Sequence, residues 1–419
     1  MRVRRLSPRS PGRMRSVGAL LALCTAAALV TPAAVADAAG TTGAGRHAGR
    51  APAASAAPPF AAGLTADLTA EMQRLRVPGA IVAVRTPQWG TWTTALGTSD
   101  LATGAPMALD NHMRIGSITK TMVGTVILQL VHDKLLTLDE AVSELRPEVP
   151  NGNHITIREL LQMTSGLFNY TEDRAFNETL DSAPQTQWTP QQVLDIAFRH
   201  EPCFPPGTKY QYSNTNTILL GLIIEQLTQH SLEQELQERI FDPLHLAHSS
   251  LPQDTTRMPV PYAHGYQFLT NIQSLDQPVL TGDAAALADW KAGNPRDVTR
   301  VNTSWAWAAG GVVSDLDDML AWAPALATGT LLPPELQRER LTFVPTTDNP
   351  DGPAYGLAIA RIGGFLGHTG TLSGYQSFEG YDPVRQATVV VLVNLNQSPD
   401  ASTPADRLTM RIVADLFQP

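Results

Sequence analysis

Residues 114–131 read Arg114-Ile115-Gly116-Ser117-Ile118-Thr119-Lys120-Thr121-Met122-Val123-Gly124-Thr125-Val126-Ile127-Leu128-Gln129-Leu130-Val131. Met122, Val123, Val126, Ile127, Leu130 and Val131 recur at i, i+1, i+4, i+5, i+8 and i+9. That wide apolar stripe predicts a helix sunk in the core. Ser117 opens the helix and Lys120 follows one turn later on the same face, so its amine reaches the serine hydroxyl. A free serine hydroxyl is a poor nucleophile and needs a base. A lysine is that base only where burial or nearby positive charge lowers its pKa. The helix start also favours negative charge developing at Ser117. Alone, the motif equally fits a capping serine followed by a solvated lysine. Against that, it is the only Ser-x-x-Lys in a chain with four lysines (Lys120, Lys134, Lys209 and Lys291), and its flank is strongly apolar.

Outward from this helix, the pattern stays mostly helical from about residue 115 to 300. Helices are expected at Ile157–Met163, Val193–Phe198 and Ile218–Leu227, with loops at 268–300. Before it, Leu64–Leu75 has helical spacing, Ala80–Val84 reads as a strand, and Gly90–Leu96 reads as its hairpin partner. Strand character returns at Gly310–Val313, ahead of a helix start marked by Asp315, Asp317 and Asp318. Tyr355–Ile362, Phe365–Gly370, Gln376–Tyr381 and Thr388–Asn394 read as successive strands joined by tight turns. Pro404–Phe417 reads as a closing amphipathic helix. The expected fold is therefore α/β (α+β): an antiparallel sheet built from both ends of the chain and flanked by helices, with a mostly helical subdomain inserted.

Charged residues are 16% and hydrophobic residues 43% of the 419, as in a packed globular protein. A net charge of −9 argues against a nucleic-acid partner. Six arginines lie among residues 2–15, an apolar run follows from Val17 to Val30, and Ala34-Val35-Ala36 and Ala36-Asp37-Ala38 have the small-x-small form. Residues 1–38 are expected to be a secretory signal peptide cleaved near Ala36 or Ala38, so a secreted, extracellular protein is expected. Leu23 precedes Cys24 where a lipid anchor wants a small residue. Removing residues 1–38 leaves 24 basic and 38 acidic residues, a net charge of −14, and a single thiol, Cys203. Residues 39–60 read as a flexible Ala/Pro-rich leader and 61–419 as the folded domain. No later stretch holds 18 apolar residues in a row, so no membrane span is expected. A monomer is expected.

Two further motifs carry polar chemistry. Tyr212-Ser213-Asn214 follows the turn at Pro205-Pro206-Gly207 and precedes a buried helix. A tyrosine hydroxyl there can relay a proton, and an asparagine amide can hold a substrate carbonyl or fix the lysine. The tripeptide alone also fits a turn tyrosine and a helix cap. His368-Thr369-Gly370-Thr371 closes a strand. Glycine there lets a ligand approach the backbone, and a free strand edge can hydrogen-bond an extended peptide. One of its N–H groups, with that of Ser117, can form an oxyanion hole.

Taken in order, these motifs resemble the serine β-lactamase and D-alanyl-D-alanine carboxypeptidase superfamily, in particular the branch of class C β-lactamases, secreted DD-carboxypeptidases, D-aminopeptidases and related esterases. The resemblance spans roughly 61–419. It includes Arg114-Ile115-Gly116, Leu160-Leu161-Gln162-Met163-Thr164-Ser165-Gly166-Leu167 and Pro206-Gly207. It implies a β-lactamase/DD-peptidase-like fold. It makes Ser117 the acylated nucleophile, Lys120 its base and Tyr212 the acid/base for leaving amine and water. Asn214 would bind the substrate amide, and Trp305 would line the cleft. His368-Thr369-Gly370 would be the edge-strand motif, with Thr369 and Thr371 on the substrate carboxylate. One departure concerns the strand Tyr355-Gly356-Leu357-Ala358-Ile359-Ala360-Arg361. Ala360 stands where the secreted carboxypeptidases place a carboxylate-gripping arginine.

The function expected is a secreted serine hydrolase, foremost a D-alanyl-D-alanine carboxypeptidase-like peptidase on cell-wall peptides. Esterase, D-aminopeptidase and β-lactamase are the alternatives, and a non-catalytic penicillin- or peptidoglycan-binding protein is the rival from another class. Its partners are a small peptide, ester or β-lactam. No metal or organic cofactor is called for. Gly-x-Ser-x-Gly and His-Glu-x-x-His are both missing, and His245 and His248 read as loop histidines.

Overall fold

A computed structural model describes residues 57–276, 295–349 and 351–417. The expected signal peptide and nearly all of the leader lie outside these residues, as do residues 277–294 of the expected loop.

Nine strands make one antiparallel sheet: β1 (Gly79–Thr86), β2 (Gly90–Asp100), β3 (Ala105–Pro106), β4 (Val344–Pro345), β5 (Ala354–Tyr355), β6 (Ala360–Ile362), β7 (Phe365–Leu372), β8 (Tyr375–Asp382) and β9 (Ala387–Val393). Their order is β3-β2-β1-β9-β8-β7-β6-β5-β4, so the first and last long strands meet at the centre, Ala80 opposite Val393 and Arg85 opposite Thr388. These strands read as nearly unbroken apolar runs because the sheet is covered on both faces. Val82, Val84, Val389 and Val391 face helices α1 (Ala61–Leu75) and α5 (Pro404–Leu416), through Leu68, Met72, Leu408 and Ile412. Ile81, Ala83, Val390 and Leu392 face the larger core, shared with helices α2 (Thr119–His132), α3 (Asn214–Thr228) and α4 (Leu316–Thr328). Asp315 caps α4 by accepting the Asp318 N–H, the role its position in the sequence suggests.

Three stretches differ from expectation. At Gly310–Val313 only Val313 lies in a strand, Val313–Ser314, and Gly310 closes a short helix, Trp307–Gly310. Tyr355–Ile362 is not one strand but β5, a bend and β6. Ala358 adopts φ +55°, and the Leu357 and Ala358 N–H groups donate to the Arg340 and Leu161 carbonyls instead of to a neighbouring strand. Apolar composition alone could not show that helix ends would take those donors. Within 268–300, the described residues include a short helix, Asn271–Asp276, and a two-residue strand, Arg296–Asp297. Helices also continue past 300, as far as Arg340. Among the described residues, no helix is long and apolar enough to cross a membrane. Cys203 is a free, exposed thiol.

The sheet meets the helical region where β7 runs beside Ile115–Ser117. A Cβ on Gly370 would lie 1.9 Å from the Ile115 carbonyl oxygen, and one on Gly116, at φ +55°, would lie 2.6 Å from the Thr371 nitrogen. Both positions need glycine for this approach. Ser377 Oγ on β8 adds a 2.7 Å hydrogen bond to the Ile115 carbonyl. Gly370→Ala is expected to force strand and loop apart at a cost of about 1–3 kcal/mol, read from the urea midpoint. An unchanged midpoint would mean that the two segments are not held together.

Candidate active site

Ser117 sits in a one-turn 3-10 helix, Gly116–Ile118, that runs straight into α2. From Asn111 to Leu128 every residue but Ser117 is buried, so the hydroxyl is the one group of that segment open to a ligand. Lys120 is fully buried, and its Nζ has three neighbours: Ser117 Oγ at 3.0 Å, Asn214 Oδ1 at 2.7 Å and the Ala309 carbonyl oxygen at 2.6 Å. Burial holds this amine well below its ordinary pKa. A neutral amine has two protons and one lone pair. Asn214 Oδ1 and the Ala309 carbonyl only accept, so they take both protons, and the lone pair is left facing Ser117. The arrangement is that of a base poised on a hydroxyl.

The orientation of the Asn214 amide follows from its surroundings. Its backbone N–H donates to Asn169 Oδ1 at 3.0 Å, which fixes the Asn169 amide, because a backbone N–H must meet an oxygen. Asn214 Nδ2 then donates to Asn169 Oδ1 (3.3 Å) and Thr171 Oγ1 (3.1 Å), turning its own oxygen to Lys120. Asn169 Nδ2 ends the chain on Glu172 Oε1 at 3.3 Å. Glu172 is exposed at the rim, and partial burial raises its carboxyl above the ordinary value against the opposing Asn169 hydrogen bond. Asn214 is thus engaged with Lys120, and its amide nitrogen is committed to the protein.

Tyr212 brings its ring to 4.9 Å from Lys120 Nζ. Its hydroxyl is buried without a hydrogen-bond partner of ordinary length, and Ser117 is the polar group that faces it. Burial pushes this phenol up, which keeps it protonated. His368, on β7, lies behind it with ring centroids 6.2 Å apart. The three motifs, distant in sequence, therefore converge. Beyond Gly367, β7 has β8 on one side and no strand on the other among the described residues, leaving the edge His368–Leu372 open. Thr369 is half-buried and Thr371 exposed along it, with Gln376 donating to Thr371 Oγ1 at 3.2 Å. Trp305 packs its ring on Phe176 at 5.8 Å, and its carbonyl accepts the Tyr170 hydroxyl at 2.7 Å, on the side of the Asn169–Glu172 turn.

Sequence reasoning missed five contributors. Asn169, Thr171 and Glu172 follow directly on the Leu160–Leu167 segment, and their polar cluster beside an aromatic was the available signal. Tyr355 stands in a stretch quoted only for its missing arginine, yet its hydroxyl reaches His368 Nε2 at 2.9 Å. The Ala309 carbonyl is backbone and leaves no trace in residue type.

The beta-lactamase family profile matches residues 64–413. The chain belongs to the beta-lactamase family. Among the solved structures of this fold, a D-stereospecific amidohydrolase from Streptomyces sp. is 30% identical with a TM-score of 0.72, over 86% of this chain and 99% of that one. A D-amino acid amidase from Ochrobactrum anthropi SV3 is 25% identical with a TM-score of 0.69, over 84% and 96%. A D-aminopeptidase from Brucella canis is 27% identical over 77% of this chain and 57% of its own length. Protein flp of Staphylococcus aureus is 25% identical over 78% and 61%. The chain thus spans about three-fifths of the length of these curated relatives. Family members of this kind are serine hydrolases, and the fold is the beta-lactamase-like one.

One buried group stands outside the proton path. Glu379 on β8 is fully buried, neither oxygen has a hydrogen bond of ordinary geometry, and burial, opposed only by the nearby His368 N–H, holds its carboxyl well above the ordinary 4.5. The native state keeps a proton that the unfolded chain releases above that pH, so ionisation of the unfolded chain costs stability as pH rises. Glu379→Gln is expected to stabilise the protein, with a gain that grows up to about 1.4 kcal/mol per pH unit on the alkaline side. Urea midpoints at an acidic and a mildly alkaline pH check this, and a gain independent of pH would mean that the native carboxyl is ionised.

Proposed function

We propose that the protein is a serine hydrolase that carries the acyl group of a small amide or ester on Ser117, with D-amino-acid amides and short D-peptides as its substrate class. One observation carries the reading: the buried Lys120 amine lies 3.0 Å from Ser117 Oγ and has Asn214 Oδ1 and the Ala309 carbonyl as its other partners, so that in its neutral form both protons are taken and the lone pair faces Ser117. Ser117 Oγ attacks the carbonyl carbon and its proton passes to Lys120. The oxyanion is met by the N–H groups of Ser117 and Thr371, which the glycine contact brings side by side. The proton then reaches the leaving nitrogen through Tyr212, the C–N bond breaks and the acyl ester remains. Water, giving up its proton along the same path, attacks the ester, and Ser117 regains a proton as the acid departs.

The substrate reading rests on charge. Ala360 takes the place of the arginine that would grip a terminal carboxylate, and Arg361 instead stacks over the Phe343 ring at 5.2 Å. Glu172, at the rim and joined to Lys120 through Asn169 and Asn214, suits the ammonium of a free D-amino acid. The likeness to the D-amino acid amidase and the D-aminopeptidase supports the same class. A D-alanyl-D-alanine carboxypeptidase reading keeps one feature in its favour, the open β7 edge with the Thr369 and Thr371 hydroxyls. The signal peptide expected at residues 1–38 would export such an enzyme to cell-wall peptides.

A panel of a D-amino-acid amide, a D-Ala-D-Ala peptide, a short-chain ester and a cephalosporin tests this reading. The amide and ester should be hydrolysed faster than the carboxylate-ended peptide. Ser117→Ala should lose at least about a thousandfold in kcat and its covalent adduct with penicillin by mass spectrometry. No turnover on any member, with Ser117 unmodified, overturns the reading. Glu172→Gln should raise KM about tenfold for an amide with a free amine and leave its N-acetylated counterpart unaffected. Equal effects on both would remove Glu172 from substrate recognition.

A further inference from the structure

One fixed donor sets the polarity of the hydrogen bonds at the open strand edge. Helix α5 begins without a capping side chain, and its first residue, Pro404, has no N–H. The next N–H, that of Ala405, is met from the sheet by Gln376 Oε1 on β8 at 2.7 Å. A backbone N–H only donates, so this contact settles which end of the Gln376 amide is oxygen. The amide nitrogen is turned the other way, to Thr371 Oγ1 at 3.2 Å, directly across the β7–β8 pair. An amide nitrogen never accepts. The Thr371 oxygen is therefore the acceptor, and its own proton points away from Gln376. Gln376 is buried, whereas Thr371 is exposed on the edge. The edge is also beside the nucleophile, since a Cβ on Gly116 would lie 2.6 Å from the Thr371 nitrogen. Thr369, the other hydroxyl of this edge, stands opposite Phe378, which offers no hydrogen bond to direct its proton.

We infer that Gln376 is a positioning residue: anchored by the start of α5, it presents the Thr371 hydroxyl to the cleft as a hydrogen-bond donor for a carboxylate oxygen of the ligand. Resting on the hydrolase reading of the same site, this assignment names what the strand edge recognises and which residue directs it. A carboxylate oxygen only accepts, so a hydroxyl whose proton is free gains a charge-assisted hydrogen bond to it. A hydroxyl whose proton was taken by the protein would turn a lone pair to the same oxygen and repel it. With Ala360 in place of a gripping arginine, carboxylate recognition at this edge falls to a neutral donor, and the direction of that donor decides its effect.

Gln376→Glu in the full chain keeps the size of the side chain and reverses its polarity toward Thr371. An ionised carboxylate still accepts the Ala405 N–H, but its second oxygen also accepts, so Thr371 donates to it and the proton is withdrawn from the ligand. The measurement is a ratio: the rate of Ser117 acylation by benzylpenicillin, which carries a carboxylate, over kcat/KM for an uncharged nitrophenyl ester, at about pH 7.5. Gln376→Glu should lower the ratio about tenfold, and Thr371→Val, which keeps the backbone N–H, should lower it as much. Combined, they should lower it no further than either alone. A merely structural role would slow both reactions equally, and the unchanged ratio would overturn the inference. A further fall of similar size in the double variant also overturns it, because the new charge would then act without the hydroxyl. Should the acidic variant not fold, Gln376→Met removes the direction without adding charge. It should lower the ratio about threefold, and an unchanged ratio counts against the inference. Calorimetric binding of benzylpenicillin to Ser117→Ala needs no turnover. The affinity should weaken about tenfold when Gln376→Glu is added. Equal affinities sink the inference, whether or not Ser117 proves inert and the hydrolase reading fails.

Discussion

The site depends on the burial of one amine. Lys120 lies under the sheet in a fully buried stretch of α2, where an ammonium would be costly and a neutral amine is tolerated. That tolerance needs acceptors for two N–H groups, and they come from places far apart in the chain, the first residue of α3 and the carbonyl of Ala309. Each acceptor is fixed by a further contact. Asn214 is oriented by Asn169 and Thr171, and the turn that carries Ala309 is pressed against α3, where Gly221 leaves room for Trp307 and Ala308. Neutral lysine, amide orientation and helix packing are one requirement seen at three scales.

The sheet supplies the second half of the site by a different constraint. Its central strands are buried on both faces. β7 is held to β8 throughout and to β6 only as far as Gly367, so its final residues form a rigid but open edge. Glycines at 116 and 370 bring that edge against the serine loop, closer than any side chain would allow. A backbone N–H at the edge is thereby placed by the sheet, while the hydroxyl it serves is placed by a helix start.

This division explains what the sequence showed. Ser117 and Lys120 are close in the chain and share a helix face, so their pairing was legible from spacing. The long strands were legible from their apolar runs, because burial on both faces leaves a strong signal. The bend after Tyr355 was not, because its N–H groups are satisfied by the carbonyls of Arg340 and Leu161, and nothing in residues 355–362 encodes a partner 17 or 197 positions earlier. The Asn169–Glu172 turn was missed for a related reason. Its function is to orient Asn214, and orientation is a property of the network, invisible in any one of its members.

The same network also shows why so many ionisable groups can sit together without a strong field. Lys120, His368, Glu379 and the phenols of Tyr212 and Tyr355 are all held in their neutral forms by desolvation. In the proposed reaction, a proton leaving Ser117 would create charge in a space with little to compete for it, and the oxyanion would be met by oriented N–H dipoles that need no rearrangement. Among the polar groups linked to Lys120, Glu172 at the rim is the one exposed to water. On the proposed reading, selection among substrates by charge falls to the mouth of the cleft, and bond breaking inside it would proceed on dipoles and one mobile proton.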